Sequence, residues 1–254
     1  VCKKALVLCV LRKGWNVPNE EEYVLRLAAG VKRNLSIPHT FIVLTDSTLL
    51  KTNEEENFVV LPFQNDWQGW WCKVELFHPD LTLGFPTLYL DLDTVVVGSL
   101  DRFFDATVFP DGIYFLDDFY RPGKGETGVM FWRGLETSAL YRTFDYDHRP
   151  RMDAQYLVPR SVSMFGPKVH CDIQKRIHVA SYKVDIRDRG YNAPHSECSL
   201  VCFHGQPRPH ELGPDFPAWM KENWVGADKP LIDNLQPRLV RRSNRSKSTE
   251  EVQK

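Results

Sequence analysis

Short uninterrupted apolar runs, separated by polar stretches, set the rhythm of this chain. Ala5 to Leu11 is one such run and Thr40 to Leu44 is another. Runs of this length without alternation predict strands buried on both faces, as in a parallel sheet. Between them, Asn19 stands where a helix N-cap would, with Glu22 three residues on as its capping-box partner. Tyr23, Leu27, Ala28 and Val31 follow at helical spacing, and Pro38 ends the connection. The segment predicts a βαβ unit with a right-handed crossover.

Further along, the acidic residues Glu54 to Glu56 read as a loop before a short strand at Phe58 to Leu61. Gly69 to Phe77 predicts a helix packed through Trp70, Val74 and Phe77, with Lys73 on the other side. Leu88 to Val97 is an apolar strand interrupted by Asp91 and Asp93. Gly112 to Leu116 and Thr127 to Trp132 are strands joined by a flexible loop, Arg121 to Gly125. Leu135 to Phe144 predicts a helix, Ser181 to Ile186 and Leu200 to Phe203 late strands, and Phe216 to Trp224 a short helix. From Pro237 the chain turns polar and basic, with Arg238, Arg241, Arg242, Arg245 and Lys247. The expectation is an α/β fold: one domain over 1–236 with a mainly parallel central sheet flanked by helices, then a loosely ordered tail over 237–254.

The two aspartates change the picture most. In an extended strand, residues i and i+2 point to one side, so Asp91 and Asp93 would project together from a buried element. Carboxylates this close repel unless a cation sits between them. Mg2+ and Mn2+ take such oxygen ligands. The bland alternative is an acidic pair of no consequence, as for Asp145 and Asp147 in a polar stretch. The apolar flanks of Asp91 and Asp93 favour the metal reading. In open α/β sheets ligands bind outside the carboxyl ends of the strands, where topology also puts Asp46 and the loop at Arg12.

Composition adds limits. The 254 residues carry a net charge of −1, which gives no global basic field for bulk nucleic-acid binding. No apolar run is long enough to span a membrane, and no signal-peptide layout is present. The start at Val1 leaves room for an upstream leader or stem. Six scattered cysteines (Cys2, Cys9, Cys72, Cys171, Cys198, Cys202) read as reduced thiols of a cytoplasmic protein. Cys198, Cys202 and His204 form a partial zinc set lacking a fourth ligand at standard spacing.

Three stretches, in order, carry a family resemblance. They are Trp70-Trp-x-Lys73-x-Glu-Leu-Phe77, then Leu88-Tyr-Leu-Asp-Leu-Asp-Thr-Val95 with Gly98-Ser-Leu-Asp101, and last Cys202-Phe-His-Gly-Gln-Pro-Arg-Pro-His-Glu211. With the nucleotide-binding half that precedes them, they resemble GT-A glycosyltransferases, in particular the glycogenin-like family 8 and related short bacterial and phage members. The resemblance covers Val7 to about Trp224. It implies a Rossmann-like nucleotide-diphospho-sugar transferase domain that moves a sugar from a nucleoside-diphosphate donor, a UDP-sugar foremost, to a hydroxyl acceptor with retention of configuration.

It also implies roles. Asp91 and Asp93 would be the Asp-x-Asp pair, and Asp91, Asp93 and His204 the residues that hold Mn2+ or Mg2+ against the donor diphosphate. Lys73 and Arg208 would add positive charge on the same oxygens, with Arg12 and Asp46 near the nucleoside; as surface cations, Lys73 and Arg208 would do neither. Asp153 and Gln155 fall where sugar and acceptor would meet, and Asp118 and Asp153 are the acids that would serve as general base if the reaction instead inverted configuration. This chain departs from the pattern there: Met152-Asp-Ala-Gln155 separates an Asp-Gln pair that is usually adjacent, and Glu126-Thr replaces a usual Asn-Ser. The acceptor could be a glycan, a lipid-linked sugar, a protein, a small molecule or a hydroxylated DNA base, the last using the basic tail to bind phosphates.

Two other readings compete. Asp91-Leu-Asp-Thr-Val95 also fits the nucleophile motif of haloacid-dehalogenase-type phosphatases, although that motif normally opens its domain. A non-catalytic sugar-nucleotide-binding or interaction domain would keep the fold without turnover.

Overall fold

The computed structural model describes residues 5–15, 17–81, 84–212 and 216–226. The basic tail over 237–254 and Cys2 lie outside the described residues. In order the elements are β1 (Ala5–Leu11), α1 (Glu20–Asn34), β2 (His39–Thr45), β3 (Phe58–Leu61), a 3-10 helix (Gly69–Phe77), β4 (Thr87–Leu90), β5 (Thr94–Val96), β6 (Gly112–Asp117) and β7 (Gly125–Arg133). Then come α2 (Ser138–Arg142), α3 (Ala154–Phe165), β8 (Val169–Cys171), α4 (Ile173–Arg176), β9 (Val179–Ser181), a π-helical segment (Tyr182–Arg187), β10 (Leu200–Cys202) and α5 (Ala218–Asn223).

Seven strands form the main sheet in the order β3-β2-β1-β4-β7-β6-β8. β7 runs against β4 and β6, and the other pairings are parallel. Both faces are covered, which is why β1 reads as a continuous apolar run. Val7, Cys9 and Leu11 pack with Tyr23, Leu27 and Val31 of α1. Leu6, Leu8 and Val10 pack on the opposite face with Trp71, Val74, Phe77, Leu140 and Leu157. A smaller sheet, β5-β10-β9, lies beyond β4. Among the described residues, the five cysteines are free thiols. Burial pushes the Cys72 thiol up to about 12 and the Cys198 thiol up to about 11.

Several elements differ from the sequence reading. Asn19 does not cap α1 through its side chain; it sits in the left-handed region at φ 51°, which Asn tolerates. The Asn19 carbonyl takes the Glu22 N–H at 2.9 Å, and the Glu22 carboxylate accepts from Arg26 Nε at 3.0 Å, so no capping box forms. Gly69–Phe77 winds as a 3-10 helix, in which every third residue shares a face. Trp71, Val74 and Phe77 therefore share one buried row, with Cys72, Glu75 and Leu76 also buried, while Trp70 is 51% exposed. Of Leu135 to Phe144, only Ser138–Arg142 is helical. The late strand stops at Ser181, because the Ser181 side chain accepts the Val184 N–H at 3.1 Å and Asp185 accepts the Ser181 N–H at 2.9 Å. These bonds curl the chain into a π-helical turn rather than a strand over Ser181 to Ile186.

The largest correction concerns the two aspartates. They do not lie on one continuous strand. β4 ends at Leu90 in the main sheet, and β5 starts at Thr94 in the small one. Asp91 to Thr94 is the turn between the two sheets, closed by Thr94 N–H to the Asp91 carbonyl at 3.1 Å. The Asp91 N–H donates to the Gly128 carbonyl at 2.9 Å, and the Asp93 carbonyl accepts from the Phe203 N–H at 2.9 Å. One aspartate is thus anchored to each sheet.

Candidate active site

The parallel registers put the ends of β1, β2 and β4 at one edge of the main sheet. Arg12, Asp46 and Asp91, each following its strand, gather there. Arg12 Nε lies 3.4 Å from Asp46, and Asp46 also accepts the Lys13 N–H at 2.8 Å. Arg12 reaches Asp66 as well, and its guanidinium stands over Phe63 at 5.3 Å.

Lys73 is no surface cation. Its side chain is 12% exposed, although the three-residue period sets it on the same row as exposed Trp70. Its ammonium lies 2.9 Å from Asp91 and 3.2 Å from Asp153. Burial works against that charge, but the two carboxylates outweigh it and hold the ammonium well above the ordinary lysine range. Asp153, at the start of α3, accepts from Thr127 Oγ1 at 2.7 Å. Asp91 accepts from the Tyr89 hydroxyl. Burial raises the Asp91 pKa against the pull of Lys73 and Tyr89. Lys73, Asp91, Asp153, Thr127 and Tyr89 form one closed network.

Across the turn the picture inverts. Asp93 makes no ion pair among the described residues, and its pKa is pushed up to about 7 by burial and by the Asp91 charge. Arg208 and Lys73 pull the other way. The Arg208 guanidinium stands over the Trp15 ring at 4.1 Å, and its buried Nη1 has no hydrogen-bond partner among the described residues.

His204 follows β10 just as Asp93 precedes β5, and the antiparallel register makes the two chain ends neighbours. The His204 ring stacks on Phe119 at 5.4 Å, meets the edge of Tyr120, and shares a 2.6 Å hydrogen bond between Nε2 and Ser181 Oγ. Burial and the Lys183 charge lower its pKa. Gly205, at φ +79°, then turns the chain toward Arg208, in a conformation that favours glycine.

The donor set suits a hard divalent ion: carboxylates from Asp91 and Asp93 with an imidazole from His204. The Asp93 charge, half-buried and unpaired by any cation of the described residues, is what such an ion neutralises. The ligand atoms of these three residues do not all lie within 4.8 Å of one another.

The remaining sequence candidates divide. Asp118 caps the β6–β7 turn, accepting the Tyr120 N–H at 2.8 Å and Arg121 Nε at 2.5 Å; those contacts outweigh burial and lower its pKa. Gln155 is exposed and accepts the N–H of Met152 at 3.3 Å, within its own turn. Sequence reasoning missed four groups. Tyr89, Trp15 and Lys183 carried no spacing signal. Glu126 had one, since it stands where relatives carry Asn. Its carboxylate pairs with Arg121 at 3.3 Å, and burial with the Asp118 and Asp153 charges raises its pKa.

No protein-family model matches the chain, and no curated protein matches it in sequence. Solved structures match it in shape. The glycosyltransferase GlyE of Streptococcus pneumoniae TIGR4 is similar at a TM-score of 0.55 and 12% identity, over 82% of this chain and 56% of GlyE. The chain thus spans little more than half of that protein. The galactosyltransferase LgtC, solved with donor and acceptor sugar analogs, is similar at 0.54 and 14% identity, over 85% of this chain and 93% of LgtC. The bifunctional glycosyltransferase WbbM follows at 0.50 and 10% identity, over 82% of this chain and 47% of WbbM. The fold is that of the GT-A glycosyltransferases, as the sequence resemblance implied. In it the Asp-x-Asp turn closes the fourth strand in chain order, whereas the phosphatase alternative expects that motif to open its domain.

Proposed function

We propose that this protein is a metal-dependent glycosyltransferase that moves a sugar from a nucleoside diphosphate, a UDP-sugar foremost, to a hydroxyl acceptor. The observation that carries the reading is the state of Asp93: half-buried, beside a second carboxylate, raised to about 7, and without an ion pair among the described residues. Asp93 and His204, with Asp91 beside them, would hold Mn2+ or Mg2+, which supplies Lewis-acid stabilisation of the departing diphosphate. Arg208, with its unpartnered Nη1 and its plane fixed by Trp15, would meet the phosphate oxygens. Lys73 would keep Asp91 oriented and extend positive charge toward the same oxygens. Arg12 and Asp46 would border the nucleoside. Asp153 and Glu126 would face the reacting sugar and the acceptor hydroxyl, with Asp118 and Arg121 holding Glu126.

In support, GlyE, LgtC and WbbM are all named as glycosyltransferases, and LgtC is described with donor and acceptor sugar analogs. The test is hydrolysis of a panel of nucleotide sugars with Mn2+, with a chelator, and with Asp93→Asn. Turnover of one donor, only with metal and only in the wild type, is the expected result. Absence of both turnover and metal-dependent donor binding across the panel overturns the reading.

A further inference from the structure

A second constellation lies outside this site, on the wall of a cavity of about 770 Å³. The cavity is lined in part by Phe119, His178, Asp185, Tyr191 and His195, and Phe119 is the ring that stacks on His204. We propose that His178, His195 and Glu197 form a site for one borderline transition-metal ion, Zn2+ foremost.

The ligand atoms of the three side chains all lie within 4.8 Å of one another, and no other such trio occurs among the described residues. They come from two segments that the small sheet locks together. His178 immediately precedes β9, and His195 and Glu197 belong to the loop entering β10. The β9–β10 register pairs Val179 with Leu200, and the Ser199 N–H donates to the His178 carbonyl at 2.9 Å. The Cys198 N–H donates to the His195 carbonyl, also at 2.9 Å. With the backbones held, an ion has only side-chain ends to order, which is the smaller entropic cost.

The two imidazole planes lie 14° from parallel with centroids 5.4 Å apart, and His178 Nε2 is 3.3 Å from the Glu197 carboxylate. Tetrahedral Zn2+ at its usual bond lengths separates its ligands by about 3.4 Å. Closing the trio to that separation would take rotation of the stacked rings about their side-chain bonds, which their exposure leaves free. The Glu197 N–H approaches His195 Nδ1 at 3.3 Å, a long contact that an ion on this nitrogen would replace.

Two imidazoles and one carboxylate favour Zn2+, Ni2+ or Cu2+ over Mg2+ and Mn2+, which separates this site from the one at Asp93. Three protein ligands leave a fourth position for water. The partial zinc set of the sequence reading does not assemble: the Cys198 thiol turns to the Leu200 carbonyl at 3.1 Å, and Cys202 is buried. A bound ion would tie the 195–197 loop to the start of β9 and stiffen that wall of the cavity.

The experiment is Zn2+ titration of the full chain against a chromogenic chelator, in a non-chelating reductant. One ion per chain is expected at this site, in addition to any held at Asp93. His178→Ala and His195→Ala, both at exposed positions, should each weaken binding at least about tenfold, the low end of what losing even an outer partner of a metal site costs. Asp93→Asn should keep this ion with the wild-type affinity, whatever it loses at Asp93. Co2+ in place of Zn2+ should give a tetrahedral spectrum without a thiolate band. Absence of binding, unchanged affinity in either histidine variant, weaker binding of this ion in Asp93→Asn, or a thiolate band would each overturn the assignment.

Discussion

The turn from Asp91 to Thr94 divides the candidate active site into two halves built on opposite terms. On the Asp91 side every charge has a partner: Lys73 bridges Asp91 and Asp153, while Tyr89 and Thr127 complete the network. On the Asp93 side both signs are present and little is paired. Asp93 is raised to about 7, and one Arg208 nitrogen is buried without a partner among the described residues. Burial and the Arg187 charge push the Lys183 pKa down, against the pull of Asp93. Charge withdrawn from water without a partner is costly. The closed half holds itself together; the open half is complementary to a ligand that brings a cation and an anion at once, as a metal diphosphate does.

The strongest way to break that contrast is Asp93→Asn. Turnover of the donor should fall about a thousandfold, the several kcal/mol that a Lewis-acid metal contributes to the barrier. Thermal stability should hold or rise, because a repelling charge is removed. A large drop in melting temperature with activity retained would place Asp93 in the closed half. Lys73→Met should do the reverse in stability terms. It leaves Asp91 and Asp153 side by side with no cation between them, a cost of about 3–5 kcal/mol, readable by urea denaturation. Adding Asp153→Asn to that variant should recover part of the stability.

Arg208→Ala should sharpen the contrast with a smaller effect. The donor KM should rise about tenfold, the worth of one charge-assisted hydrogen bond to the phosphate, with little change in urea midpoint. An unchanged KM would confine Arg208 to its place over Trp15. The smallest effect is expected at Glu126. Its folded pKa is raised, so the folded state binds more protons than the unfolded one as pH climbs past the ordinary glutamate value, and stability declines there. Glu126→Gln removes that decline. Its melting temperature should gain on the wild type at neutral pH and match it well below the ordinary glutamate pKa. Equal differences at both pH values would show that Glu126 does not titrate in this window.

Much of the fold was legible because burial on both faces writes itself into composition. Ala5 to Leu11, Thr40 to Leu44 and Gly112 to Leu116 are strands within a residue or two of where their apolar runs put them. The periodicity of α1 was legible for the same reason, with Tyr23, Leu27, Ala28 and Val31 all buried. What misled was local geometry that composition does not encode. A helix of three residues per turn exchanges Trp70 for Trp71, and ion pairs with Asp91 and Asp153 draw Lys73 inside. Side-chain bonds from Ser181 and Asp185 turn an apparent strand into a π-helical segment.

By itself, the sequence determined the parallel sheet, the helix against it, and the presence of two aspartates after an apolar run. Apolar burial and motif spacing are properties of neighbouring residues, and a linear pattern can carry them. Only the tertiary structure decided that the aspartates bridge two sheets, that Lys73 joins Asp91 to Asp153, and that His178 meets His195 and Glu197. Each depends on strand register and chain crossings between residues far apart in sequence. The energies that select them, charge pairing against desolvation, arise only once the backbone has brought those groups together.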